Sequence, residues 1–227
     1  RHQARPALTS FAGVGPLIRF ALRRDRIRLS VWVGVLTLTM VYAPNAVRLA
    51  YPDEAQRQAR VDMLKTPAGI MLGGPMFGGN ETDLGVMMAN ELMLTLIVAT
   101  SILAILTVIR HTRADEESGA AELVLSSVVG RHARTAAALV VTAAVNAGLA
   151  VTMTLAMAAS GFAVLDTAAM CVGVTAVAMV FGAAAAVSAQ LWRQARTASG
   201  MAMAALGAAV LVRGAGDVID NSGSALS

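Results

Sequence analysis

One carboxylate, Glu91, lies well inside an apolar stretch of this 227-residue chain. Placing a charged side chain in a bilayer costs roughly 2.5 to 3.5 kcal/mol, so Glu91 needs a partner or water. Two interpretations are equally good: Glu91 faces a substrate pathway, or it lies close enough to the headgroups to reach water, Arg48 or Lys65. The amides of Asn90 and Asn146 are suited to hydrogen bonds between helices.

Methionines are clustered in and after a glycine-rich segment that precedes Glu91. They are Met71, Met76, Met87, Met88 and Met93. A flexible, polarisable thioether suits a surface that meets varied apolar compounds, although most methionines in membrane helices fill gaps between other side chains. The substrate-pathway candidates are therefore Glu91, Asn90, Met87, Met88, Met93 and Asn146.

The sequence contains no pattern typical of catalysis or metal binding. It has no Walker A motif, and its apolar stretches contain no His-Glu-x-x-His or Ser/His combination. The single cysteine, Cys171, has no thiol or histidine at metal-ligand spacing. We therefore expect no catalytic residue, no metal site and no bound cofactor. An ATP-driven function would need an ATPase on another polypeptide.

The apolar content exceeds what one soluble core can bury. Hydrophobic residues make up 56% of the chain and charged residues 14%, and the mean hydropathy is +0.65. A bilayer about 30 Å thick accepts helices of about 20 apolar residues. Five stretches have suitable length: residues 29–50, 84–109, 135–162, 168–191 and 197–212, the last either ending there or continuing past Arg213. The sequence predicts an all-α, polytopic transmembrane helix bundle.

Arginine placement predicts the orientation of this bundle. Thirteen of the eighteen lysines and arginines fall on one side of the five stretches, which places the N-terminus in the cytoplasm. Residues 1–28 then form a cytoplasmic arm and 29–227 the membrane domain, with an outer loop at 51–83 and a cytoplasmic loop at 110–134. Because topology explains the basic residues, we do not expect nucleic-acid binding.

An amphipathic helix is predicted before the first span, at residues 17–29. Arg19, Arg23 and Arg26 share one face, which suits the headgroups of the inner leaflet. Arg24 and Arg28 interrupt the apolar face, so an ordinary positively charged flank is the alternative.

The cytoplasmic loop 110–134 contains acidic and apolar residues between arginines, and we call it the acidic loop. Asp115, Glu116 and Glu117 are followed by Glu122 and Leu123, a spacing that predicts a short helix with charged and apolar faces. The alternative from spacing alone is a solvated connector.

The acidic loop resembles the coupling-helix signature of type-2 ABC exporter permeases. The similar residues are Glu117-x-Gly119-x-x-Glu122-Leu123-x-Leu125, closed by Gly130-Arg131. The subgroup of polyketide-antibiotic exporters of the tetronasin type is most similar, through Arg110-His111-Thr112-Arg113 and through Thr66-Pro67-Ala68 with Gly74-Pro75. The resemblance starts near Phe20, and Val128 stands where the family usually has proline.

The resemblance implies a permease in the bacterial plasma membrane that exports hydrophobic antibiotics or drugs. It implies that ATP and Mg²⁺ are bound by a separate ABC ATPase subunit, in two copies. The residues implied to contact that subunit are Arg113, Asp115, Glu116, Glu117, Gly119, Glu122, Leu123, Leu125 and Arg131. Family permeases have six spans per half, so we expect this chain to be a fragment, with a second half in the same or another chain. A proton- or ion-coupled secondary transporter is the alternative, although it would carry more ionisable groups in its spans.

Overall fold

The computed structural model describes residues 12–76, 82–117 and 132–219, and these residues form helices and no strands. The prediction of an all-α fold is confirmed. In chain order the helices are α1 (Val14–Arg24), α2 (Arg26–Ala50), α3 (Glu54–Leu64), α4 (Pro67–Gly73), α5 (Leu84–Ile109), α6 (Ala133–Ala159), α7 (Val164–Leu191) and α8 (Ala195–Ile219).

Five of these helices are long and apolar enough to span a membrane: α2, α5 with its continuation to Glu117, α6, α7 and α8. They correspond one to one with the predicted stretches. Two acids that lay outside the predicted ranges belong to these helices. Helix α7 already begins at Val164 and includes Asp166, and α8 continues past Arg213 and includes Asp217. Both acids lie in a terminal turn of their helix, whereas Glu91 lies about two turns inside α5. Asp217 is accommodated because it pairs with Arg213 one turn earlier, at 3.1 Å.

Helix α5 forms the centre of the bundle and packs most extensively against α7. Helix α6 also contacts α7 and carries α1 and α2 on another side, while α8 packs on α7 and α5. A Cβ added to Gly182 of α7 would lie 3.5 Å from the Ala104 Cβ and 3.6 Å from the Thr142 Cγ2. Small residues thus let three helices approach closely, as in other membrane bundles.

The predicted amphipathic helix is present as α1, but it ends earlier than expected. The helix stops at Arg24, and Asp25 separates it from α2, so that Arg26 belongs to the first span. Arg19 and Arg23 are exposed, whereas Ala21 is buried on the face that packs on α6. The break arises because the Asp25 carboxylate is buried and bound by residues at the end of α5, described below.

The predicted outer loop between α2 and α5 contains two helices. Besides α3, residues Pro67–Gly73 in its glycine-rich part form α4. Thr66 caps this helix by accepting a hydrogen bond from the Gly69 N–H at 3.2 Å, and proline is favourable at a first helical position. A Cβ on Gly69 would collide with the Leu64 backbone, so the tight α3–α4 turn requires glycine here.

The orientation predicted from arginine placement can be tested by thiol labelling of intact cells. A cysteine replacing exposed Gln56 on α3 should react with an impermeant maleimide, whereas one replacing Ser118 in the acidic loop should not, because the loop is predicted to be cytoplasmic. Buried Cys171 is first replaced by alanine to remove background. Permeabilised cells should label at both positions. If Ser118→Cys is labelled in intact cells and Gln56→Cys is not, the orientation in the membrane is the reverse of the predicted one.

Candidate functional site

The helical path of α5 continues beyond Ile109 into the start of the acidic loop. Arg110–Ala114 form a π-helical turn, and Asp115–Glu117 return to α-helical geometry. His111 and Thr112 are buried within this turn, each 7% exposed. Such π-helical turns are frequent at functional sites. This extension carries the first residues of the loop to the ends of four other helices.

Asp25 is the most buried charged residue at this end of the bundle, with 3% of its surface exposed. Arg110 Nε donates to both carboxylate oxygens, at 3.0 and 2.8 Å. His111 Nε2 lies 3.2 Å from Asp25 Oδ2 without hydrogen-bond geometry. A buried carboxylate is tolerated only with such partners. Asp25 therefore joins the α1–α2 break to the end of α5.

Arg24 makes a second connection between the same two segments. Its Nη1 and Nη2 donate to the two carboxylate oxygens of Asp115 at 2.9 and 3.1 Å, and Nη2 lies 3.1 Å from His111 Nδ1. This bidentate geometry fixes the orientation of the Arg24 and Asp115 side chains as well as the distance between them. We call Arg24, Asp25, Arg110, His111 and Asp115 the charged junction. It fastens the start of the acidic loop to α1 and α2.

Glu116 and Glu117 connect the acidic loop to α6 and α8. Glu116 pairs with Arg113 and with Arg134 of α6, the latter at 3.1 Å. The Glu117 carboxylate accepts a hydrogen bond from the backbone N–H of Ala195, the first residue of α8. An anion at this position satisfies an unpaired N–H and the positive end of the helix dipole.

Arg113 adds a connection to α7, because its Nε donates to the Ala189 carbonyl near the end of that helix. Arg113, Asp115, Glu116 and Glu117 were all predicted to contact an ATPase, and in the structure each bonds within the chain. The remaining predicted contact residues, Gly119, Glu122, Leu123, Leu125 and Arg131, lie outside the described residues. No contact was predicted for Arg24, Asp25, Arg110, His111 or Arg134, since no spacing rule relates positions so far apart.

Glu91, at the other end of α5, forms an ion pair with Arg60 of α3. Arg60 Nε lies 2.8 Å from Glu91 Oε1, and the two side chains are 26% and 19% exposed. Arg48, one expected partner, instead donates to the Ser160 carbonyl at 3.2 Å. The Glu91 carboxylate raises the pKa of Arg60 above its ordinary value, mainly through their hydrogen bond, so the guanidinium stays charged. The pair holds α3 against α5.

A cavity of about 350 Å³ lies beside this ion pair, between α5, α7 and α8. Asn90 and Met93 line it, and Met93 is 43% exposed. A separate pocket, formed by α3, α4 and α5, is lined by Glu91 and also by Asn90. The structure therefore brings Asn90, Glu91 and Met93 together around two neighbouring pockets.

The other pathway candidates lie in the packed interior. Met87 and Met88 are 0% and 1% exposed, and Met88 packs with Ala43 and Val47 of α2. Asn146 is 2% exposed; its Nδ2 donates to the Thr142 carbonyl at 3.0 Å and lies 3.7 Å from the Met179 sulfur of α7. These three residues fill and connect helices in this structure.

Comparison with known proteins adds a functional direction. The chain matches no family profile. It is 39% identical over 219 residues, or 95% of its length, to the multidrug efflux system permease protein Rv1217c of Mycobacterium tuberculosis. The chain is similar to part of a multidrug efflux permease. It spans 39% of the length of that relative. Together with its five apolar helices, this similarity indicates a multi-pass membrane protein.

Proposed function

We propose that the protein is the membrane-spanning permease part of a bacterial ABC exporter, which moves hydrophobic compounds out across the plasma membrane. The observation that carries this proposal is the 39% identity to a multidrug efflux permease over 95% of the chain. The resemblance of the acidic loop to a coupling helix supports an ABC-type ATPase, with ATP and Mg²⁺ on a separate subunit. A second permease half, in the same or another chain, completes the transporter.

The side-chain contacts around the acidic loop support a coupling role. Contacts from residues 110–117 reach α1 through Arg24, α6 through Arg134, α7 through Ala189 and α8 through Ala195. A displacement of the loop by a closing ATPase would therefore act on four helices at once. Coupling of this kind biases a bundle between two arrangements, which is the physical basis of alternating access. In this proposal Asp115, Glu116 and Glu117 position the loop, and the residues after them meet the ATPase.

Charge reversal in the acidic loop tests the proposal. Glu117→Arg combined with Glu122→Arg is expected to weaken binding of the ATPase subunit a hundredfold or more. Glu117→Arg removes the contact with Ala195 that positions the loop. Glu122→Arg adds a charge that the ATPase surface repels; like charges in an interface cost several kcal/mol, and about 1.4 kcal/mol is tenfold. The measurement is co-purification with the ATPase subunit, to be sought as a span-free Walker A protein encoded beside the permease gene, together with ATP-dependent efflux. The permease should still reach the membrane, since the loop becomes more positive on the side already positive.

Two variants separate docking from local structure. Glu117→Gln keeps an oxygen for the Ala195 N–H and removes only the charge. Glu54→Arg reverses an exposed charge on α3, far along the chain from the loop, and should retain the ATPase. If the double reversal keeps both ATPase and efflux, the acidic loop is a connector and the ABC assignment fails.

A further inference from the structure

The cavity between α5, α7 and α8 has the size and lining of a small-molecule site. Its volume of about 350 Å³ falls within the roughly 300 to 1,000 Å³ that is usual for ligand pockets. Apart from Asn90, its walls are apolar and come from all three helices: Met93 and Ile97 of α5, Val177 and Phe181 of α7, and Leu206 and Val210 of α8.

One end of the cavity is polar and is formed by Arg213. At a helical rise of about 1.5 Å per residue, Arg213 lies about 27 Å along α8 from Ala195, and so at the end of α8 opposite the acidic loop. Its Nη2 contacts the Gly73 carbonyl at 3.3 Å and Asp217 Oδ2 at 3.1 Å. Both contacts use the same nitrogen, and among the described residues Nε and Nη1 have no hydrogen-bond partner. The guanidinium can therefore donate further hydrogen bonds into the cavity.

Helix α4 covers this polar end. Gly74 has φ +90°, and a Cβ there would collide with the Arg213 guanidinium. A Cβ on Gly214 would lie 2.8 Å from the Met71 carbonyl oxygen, so α4 and α8 are in backbone contact. Gly73 and Pro75 complete the cover. The Arg213 guanidinium at this end of the cavity is a hydrogen-bond donor. A lipid acyl chain has no group that would accept from it.

The charge balance at Arg213 selects the class of ligand. Asp217 is 1% exposed and already neutralises the guanidinium. A second anion would be repelled by this buried carboxylate, whereas a neutral carbonyl, ether or hydroxyl oxygen would accept from Nε or Nη1 without repulsion. We propose that the cavity binds a neutral amphiphile, with its apolar body among α5, α7 and α8 and a hydrogen-bond-accepting group at Arg213.

Prodan, a neutral naphthalene ketone, is a suitable probe for this site in the full chain in lipid nanodiscs. Phe181→Trp places an energy donor in the cavity wall, in a background where Trp32 and Trp192 are phenylalanine. Saturable energy transfer to prodan is expected, because a probe bound in the cavity occupies a limited number of sites. The matched control is Val180→Trp, because Val180 is 66% exposed and does not line the cavity. It lies within transfer range as well, and saturable transfer from it checks that Phe181→Trp has not itself created the site. Unsaturable transfer from both positions means partition into lipid and overturns the proposal.

The polar end is tested by changing Asp217. The anionic naphthalene sulfonate ANS should bind weakly to the parent protein and roughly tenfold more tightly to Asp217→Asn, equivalent to about 1.4 kcal/mol, while prodan should change little. Replacing both members of the pair, Arg213→Met with Asp217→Asn, removes the donor at position 213 without leaving an unpaired buried charge and should weaken prodan binding about tenfold. Unchanged ANS affinity in Asp217→Asn would show that the pair does not select ligands.

This inference gives the proposed export function a ligand class, but its test does not depend on transport. Probe binding is measured without ATP and without an ATPase subunit. Binding that fails while loop reversals still abolish ATPase docking would refute the site and leave the exporter proposal intact. Site-specific binding in a protein that has no ATPase partner would support the site and refute the exporter proposal.

Discussion

Asp25→Ala is expected to lower the free energy of unfolding by roughly 3 to 5 kcal/mol, the usual cost of removing one member of a buried ion pair. Asp25 is 3% exposed and faces Arg110, His111 and Arg24. Without its carboxylate, these groups are left facing one another with one acid, Asp115, near them. The measurement is the midpoint of thermal unfolding in detergent, with the amount of protein in the membrane.

A matched substitution distinguishes burial from the loss of any ion pair. Asp115→Ala also removes an aspartate of the charged junction, but the Asp115 and Arg24 side chains are 24% and 25% exposed. Solvent-accessible pairs contribute about 1 kcal/mol or less. The unfolding midpoint should therefore fall much further for Asp25→Ala than for Asp115→Ala. Equal shifts would show that Asp25 is not buried as described.

Arg60→Glu is expected to detach α3 from α5. The substitution would place two carboxylates where Arg60 Nε and Glu91 Oε1 now lie 2.8 Å apart, and such like-charge contacts cost several kcal/mol. Limited proteolysis should cut within α3 much faster than in the parent protein, and the unfolding midpoint should fall.

The exchanged pair, Arg60→Glu with Glu91→Arg, is the decisive control for this effect. Opposite charges meet again, so most protease resistance should return. Ala59→Glu adds a negative charge to an exposed neighbouring position and should have little effect. If the exchanged pair is cut as fast as the single variant, the Arg60–Glu91 contact does not hold α3 in place.

The positions of the helices are determined by local features of the sequence. Helix α5 covers Leu84–Ile109, the same residues as the predicted second span, because Asp83 caps its start and Glu91 is the one charged residue before Arg110. The Asp83 Oδ1 accepts from the Gly85 N–H at 2.8 Å, a contact between near neighbours that spacing can predict. Length, hydropathy and caps act within one segment, so the number and type of the spans could be predicted.

Only the tertiary structure decided which charged residues meet. Asp25 and Arg110 are 85 residues apart and Arg24 and Asp115 are 91 apart, and nothing in either segment identifies the other. Likewise, Glu91 was correctly expected to need a partner, but the partner was Arg60, 31 residues away on a different helix. Which face of a helix meets which neighbour depends on side-chain packing between α5, α6, α7 and α8. Hydropathy is a property of one segment, whereas an ion pair depends on the relative rotation and position of two.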